Sequence, residues 1–311
     1  MIASIFAAAR TTSCREWKRT VCQAPACYRE EERSSVCRIL SVDGRLSTPV
    51  MNERSINIGM KQLADDFWNL RGTFRIAGLI NLGTQMSLIR RSTGRFLLID
   101  SYDVSGAGRE ALLKLTDNGA AIDAIINVHP FHTLHCRAAH ELAPGARLFG
   151  TQRHRDQAPE LPWQKDRIED SATQAQFEEL EFSVPDGLDL VTSDDSVHAA
   201  SVLVRHRASG IVHVDDTLMV LAAPGLLQHV LPQSRLRFHP MLAKALQPRV
   251  GAADEFTAWA RGIAERWAGT RTVCAAHSAV RHLTPNGWHG EINRALSDVR
   301  KTLDQHRSRH G

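Results

Sequence analysis

From Gln62 onward, short apolar runs alternate with turn residues, a pattern of many short strands separated by a few helices. Residues 66–75 read as a strand entering a turn, and 81–89 as a half-buried strand. Ser92-Thr93-Gly94 makes a hairpin turn into the nearly continuous apolar strand 95–100. Residues 108–118 carry Leu112, Leu113 and Leu115 at helical spacing and stop at Gly119. Next come a buried strand over 124–128, a helix over 136–142 ended by Pro144-Gly145, and a short strand over 147–150. Residues 151–186 hold Pro159, Pro162 and Pro185 and read as a long loop with one helical piece at 174–180. Strands follow at 188–191, 200–206 and 211–214. The helix over 252–267 has Phe256, Trp259, Ile263 and Trp267 at three- and four-residue steps, as core anchors. Residues 273–277 form a short strand ending in a histidine, and the tail from Gly290 reads as an exposed, charged helix.

One pattern occurs twice. Ser87 to Arg90 leads through Gly94 to Phe96–Ile99 and Asp100, and Ser201 to Arg205 leads through Gly210 to Ile211–Val214, Asp215 and Asp216. The repetition suggests two related β-layers facing each other, each with an acid at a strand end.

Composition narrows the class. The chain has 311 residues, 43% apolar and 23% charged, which suits a soluble globular protein. A net charge of +4 without a basic stripe gives no case for nucleic-acid binding. No run approaches the roughly 20 apolar residues that span a bilayer. Cys14, Cys22, Cys27 and Cys37 lack the paired spacing of a structural zinc site. Residues 1–55 are expected to be poorly structured or extraneous, with Met51 a natural alternative start, and 56–311 to form the domain. The expected partner is a small-molecule substrate, with no nucleic acid and no membrane, in the cytoplasm.

Candidate chemistry centres on His129-Pro130-Phe131-His132-Thr133-Leu134-His135, three histidines in seven residues at the end of an apolar strand. Neutral imidazoles crowded there suit zinc, although a His-rich surface turn is the competing reading in a chain with 15 histidines. Single histidines such as His198 and His277 are more often hydrogen-bonded edge residues than ligands. Asp216 could equally cap a turn, and Asp215 competes with it. His154 reads as solvated and Cys136 as a small buried residue. Neither a Gly-x-Ser-x-Gly elbow nor a glycine-rich phosphate loop is present.

Over residues 66–282 the chain resembles the metallo-β-lactamase-like superfamily. Leu98-Ile99-Asp100 is similar to the family's early strand ending in an acid, and the His cluster to its HxHxDH metal loop. Val197-His198-Ala199-Ala200-Ser201 resembles the later ligand histidine and its following serine. Val214-Asp215-Asp216-Thr217-Leu218 resembles the Gly-Asp-Thr-Leu turn whose aspartate bridges two metals, and His277 the last ligand. The resemblance implies an α/β, four-layer αββα sandwich of two mixed β-sheets flanked by helices, with metal at the sandwich edge. It assigns His129, His132 and His198 to one zinc ion. His135, Asp216 and His277 would surround a weaker second position, with Asp216 the catalytic carboxylate. One ion is expected and two are allowed.

Two departures stand out. Leu134 occupies the place of the loop aspartate, and aligning on His132 and His135 puts Pro130 where the first histidine belongs, so His129 serves only if the loop shifts by one residue. The implied activity is zinc-dependent hydrolysis of an ester, thioester, amide or phosphoester by a metal-activated water. The alternative is a non-catalytic member of the fold that binds one metal or a partner.

Overall fold

Alternation along the strands decides the architecture. The computed structural model describes residues 59–72, 75–76, 80–81, 83–220, 235–276 and 280–311. The expectations for 1–55, for Met51 and for His277 lie outside the described residues.

The first half of the domain supplies β1 (Gly59–Ala64), β2 (Phe67–Gly72), the two-residue pair β3 (Arg75–Ile76) and β4 (Ile80–Asn81), β5 (Thr84–Arg90), β6 (Phe96–Ile99), β7 (Ile122–Ile126) and β8 (Arg147–Phe149). Six of these form one mixed sheet in the order β1-β2-β5-β6-β7-β8. Pairing is antiparallel as far as β6 and parallel from β6 to β8. The parallel neighbours need crossovers, which α1 (Gly106–Leu115) and α2 (Cys136–Leu142) provide. Gly119 follows α1 at φ +88°, where a Cβ would stand 2.1 Å from the Leu142 carbonyl oxygen.

After α3 (Gln152–Gln157) and α4 (Ser171–Gln174) the chain builds β9 (Leu180–Ser183), β10 (Leu203–His206), β11 (Ile211–Val214), β12 (Leu218–Val220) and β13 (Leu236–Phe238). Then come α5 (Leu242–Ala245), α6 (Ala252–Arg266), β14 (Thr272–Ala275), β15 (Val280–His282) and α7 (Gly287–His310). The second mixed sheet has the order β15-β14-β11-β10-β9, with β12 and β13 paired separately. The two similar stretches of sequence are the hairpins β5–β6 and β10–β11, one in each sheet.

Side-chain parity sorts the core into three layers. Phe96 and Leu98 of β6 pack with Leu112, Ile125 and Ala139 beneath α1 and α2. Leu97 and Ile99 turn the other way and meet Val204 and Ile211 between the sheets. Val212 and Val214 of β11 face outward onto Phe256, Ile263 and Trp288 of α6 and α7. The layers therefore run helix, sheet, sheet, helix, as expected. Each fully buried large apolar side chain contributes about 1.5–3 kcal/mol. No helix among the described residues is long and apolar enough to cross a membrane.

Several local expectations need correction. Residues 151–186 are mainly loop as expected, but they also hold α3 and the edge strand β9, and their second helical piece is α4 at Ser171–Gln174 instead of 174–180. Residues 188–191 form no strand, Leu188 making only an isolated bridge to Leu246. The terminal helix is not merely an exposed tail, because Trp288, Ile292, Ala295, Leu296 and Leu303 bury one stripe of it. Trp288 Nε1 also donates to the Ile263 carbonyl at 2.9 Å.

Candidate functional site

At one end of the sandwich the inward face of the strands changes from apolar to polar. β2 points Phe67 and then Asn69 inward, and β5 points Ile89, then Ser87 and Gln85. Phe67 and Ile89 belong to the inter-sheet core, whereas Asn69, Ser87 and Gln85 are buried polar groups that must be paired. Asn69 Nδ2 donates to Gln85 Oε1 at 3.2 Å and to Ser87 Oγ at 3.1 Å. Gln85 Nε2 faces the Cys274 carbonyl at 2.9 Å, the Val214 carbonyl at 3.1 Å and Asp215 Oδ1 at 3.3 Å. Arg71 Nη2 donates to the Ala275 and Ala276 carbonyls at 2.8 and 3.0 Å. Two side chains of the first sheet thus hold the ends of the parallel neighbours β11 and β14 in the second.

Asp100 closes β6 in the left-handed region, at φ 61°, and so turns its carboxylate back toward the neighbouring strand end. Asp100 Oδ1 accepts the Val128 N–H at 2.8 Å, just before the His cluster. Its Oδ2 lies 2.9 Å from His213 Nε2, and His213 Nδ1 lies 2.9 Å from Ser87 Oγ. Because Ser87 Oγ already accepts from Asn69, its own proton is free for Nδ1. The Ser–His–Asp order is that of a hydrolytic triad, but Ser87 is fully buried and belongs to no nucleophile elbow.

Beside this line stand the histidines. His129 is fully buried, and its Nδ1 accepts the Phe131 N–H at 3.2 Å. Its Nε2 is 3.1 Å from Asp216 Oδ2 and makes no hydrogen bond. His132 Nδ1 is 3.1 Å from Asp215 Oδ2, and the His129 and His132 ring centres are 4.1 Å apart. Candidate ligand atoms of His129, His132 and Asp216 all lie within 4.8 Å of one another, as do those of Asp100, His213 and Asp215. Burial, and then the neighbouring His132, push His129 down to about 4; burial pushes His213 down to about 4 as well. Both rings are neutral near pH 7, the form that binds metal. Burial and the adjacent Asp215 charge raise the Asp100 carboxyl well above its usual range. Burial acts to raise Asp215 too, but contact with His132 outweighs it and holds that carboxyl low.

The observed grouping differs from the expected one. Asp216 joins His129 and His132, while His198 stacks on Phe131, ring centres 4.0 Å apart, with Nε2 2.8 Å from the Asp195 carbonyl. His135 sits at the start of α2, edge-on to Tyr102 at 5.7 Å, and is in neither group. Leu134 is 68% exposed, so position 134 faces solvent. Cys136 is buried as expected. His154 is not solvated: it is fully buried, its Nδ1 accepts the Thr151 N–H at 3.1 Å, and burial beside His129 and His132 drives it down to about 3. The sequence offers Asp215 only as a rival to Asp216, and does not mark His213, Ser87, Gln85 and Arg71 as functional. The available signal was their alternate spacing on strands that should have been apolar inside.

No protein-family profile matches the chain, and no curated protein matches it in sequence. Solved structures do match it in shape. The metallo-β-lactamase FIM-1 from Pseudomonas aeruginosa, in its mono-zinc form, is 12% identical with a TM-score of 0.51, covering 77% of this chain and 95% of its own. VMB-1 at pH 5.5 is 12% identical with a TM-score of 0.50, covering 77% and 97%. At such identities the likeness is one of fold.

Proposed function

Since the chain has the metallo-β-lactamase-like fold, we propose that it is a metal-dependent hydrolase whose ion is held by His129, His132 and Asp216. The observation that carries this reading is His129 Nε2, which is buried without a hydrogen bond while a carboxylate oxygen stands 3.1 Å away. A buried polar atom left unsatisfied costs about 1–3 kcal/mol. A cation between ring nitrogen and carboxylate removes that cost for His129. A bound zinc ion would supply Lewis acidity and lower the pKa of its water to about 7.

The chain's own residues perform the remaining tasks. Asp216 and the two imidazoles fix the ion at the sandwich edge. Asp215 takes over the carboxylate role that Leu134 cannot fill, because its Oδ2 reaches His132 at 3.1 Å and Gln85 holds its other oxygen. Ionised at neutral pH, it can orient an attacking water as a hydrogen-bond acceptor. Arg153 lies over the Phe131 ring at 4.3 Å, so the rim beside the ion is cationic and aromatic. The substrate class is a small ester, thioester, amide or phosphoester.

A second reading, a non-catalytic scaffold, is favoured by one contact. The Phe131 N–H donates to His129 Nδ1, which places the ring proton on Nε2. Ligation through Nε2 then requires that contact to open. The two readings separate on metal content and on a screen of ester and phosphodiester hydrolysis with and without chelator. The hydrolase should contain zinc, lose activity on chelation, and lose at least 100-fold in kcat/KM in His132→Ala. Purified protein without metal, or turnover that survives chelation, would falsify the proposal.

A further inference from the structure

Asp100, His213 and Asp215 form a second group whose members are 0–2% exposed. We propose that this group is an inner cation position, taking a divalent transition ion sealed from solvent, with Asp215 shared between it and the outer group. The inference stands apart from the hydrolase reading, because the inner ion touches no substrate.

The donor geometry fits. His213 Nε2 is 2.9 Å from Asp100 Oδ2 and 3.9 Å from Asp215 Oδ1. These separations bracket about 3.3 Å, the ligand–ligand edge for a tetrahedral ion with bonds of about 2.0–2.1 Å. Each donor is also oriented from behind, as metal ligands commonly are. The Val128 N–H holds Asp100 Oδ1, Gln85 Nε2 holds Asp215 Oδ1, and Ser87 Oγ holds His213 Nδ1. Ser87 is the telling partner. A hydroxyl both donates and accepts, so its oxygen can accept from the Nδ1–H when Nε2 binds an ion. The main-chain N–H that faces His129 Nδ1 has no such freedom.

A separate observation points the same way. Asp215 Oδ2 is buried and makes no hydrogen bond. Asp100, Asp215 and His213 thus bring two carboxylates and an imidazole together out of solvent, a donor set that a divalent ion completes. One imidazole nitrogen and two carboxylate oxygens suit Zn2+ or Co2+. The ion would neutralise the strand ends and fix Asp215 in place.

The full chain, produced with Zn2+ or Co2+ and purified without chelator, is tested by metal analysis before and after treatment with chelator. The expected result is two ions per chain, one removed within minutes and one retained until the protein unfolds. His132→Ala should lose the labile ion alone, and His213→Gln the retained one alone. Ser87→Ala should keep the inner ion but release it at least 10-fold faster. Should His213→Gln fail to fold, the Co2+ form of His132→Ala decides: its visible absorption must persist through chelation. The inference is overturned by a chain with no retained ion, by a retained ion unaffected in His213→Gln, or by its loss in His132→Ala. A retained ion without a labile one would sink the hydrolase reading and leave this one standing.

Discussion

Replacing Gln85 with leucine tests whether the polar seam between the sheets holds the site together. Gln85 Nε2 serves Cys274, Val214 and Asp215 within 3.3 Å, and Gln85 Oε1 accepts from Arg71 Nη1 at 3.1 Å. Val214 keeps a second donor, the Ala276 N–H at 3.1 Å, the Cys274 carbonyl keeps its place in the β11–β14 ladder, and Asn69 keeps Ser87. Two groups are therefore left short: Asp215 Oδ1 and Arg71 Nη1. At about 1 kcal/mol for each lost buried hydrogen bond, Gln85→Leu should destabilise by about 2 kcal/mol. For a domain of this size that is a fall in Tm of roughly 4–8 °C. Urea titration followed by circular dichroism measures the first quantity and calorimetry the second. Zinc affinity should fall in parallel, because Asp215 loses the amide that orients it. A change below about 1 kcal/mol, or full zinc affinity in a destabilised variant, would show that the seam does not position the strand ends.

Leu134→Asp restores the carboxylate of the resembled loop, yet position 134 is 68% exposed, so metal content and hydrolysis should both stay unchanged. A gain of activity in steady-state assays would mean that the loop closes inward on loading. His154 has its folded-state pKa depressed to about 3 by burial, against an ordinary 6.5. The unfolded chain therefore binds the extra proton first, and stability present above pH 6.5 is lost as pH falls toward 3. His154→Gln should flatten that limb by up to about 1.4 kcal/mol per pH unit in urea titrations at pH 7, 6, 5 and 4. An unchanged slope would place the acid sensitivity elsewhere.

The strands that read most clearly were those with uninterrupted apolar runs, β6, β7 and β11, and the helix α6 with its aromatic steps. Sequence failed where burial is one-sided. β9 is an edge strand whose Glu181 and Ser183 break the run, and the charged face of α7 outweighs its single apolar stripe. The His cluster and Asp216 were legible because each is a local pattern. His213 was not, and Asp215 was legible only as a rival to Asp216, since their roles depend on strand parity and on β11 lying opposite β5 across the sandwich. His154 looked solvated among Gln152, Arg153 and Arg155, but a helix turn exposes only one side of such a run. Leu134 looked decisive by alignment and turned out to face away.

The His129-Pro130-Phe131 turn has a double in His239-Pro240-Met241, where the Met241 N–H meets His239 Nδ1 at 3.1 Å. Proline removes the first amide after the ring, so the next one along docks onto the imidazole. At His129 this makes the chain's own stereochemistry a rival to any incoming ion. Loading of the outer group must then wait for a peptide to swing aside, and its rate should climb with ion concentration only until that swing becomes the slow step, and then plateau.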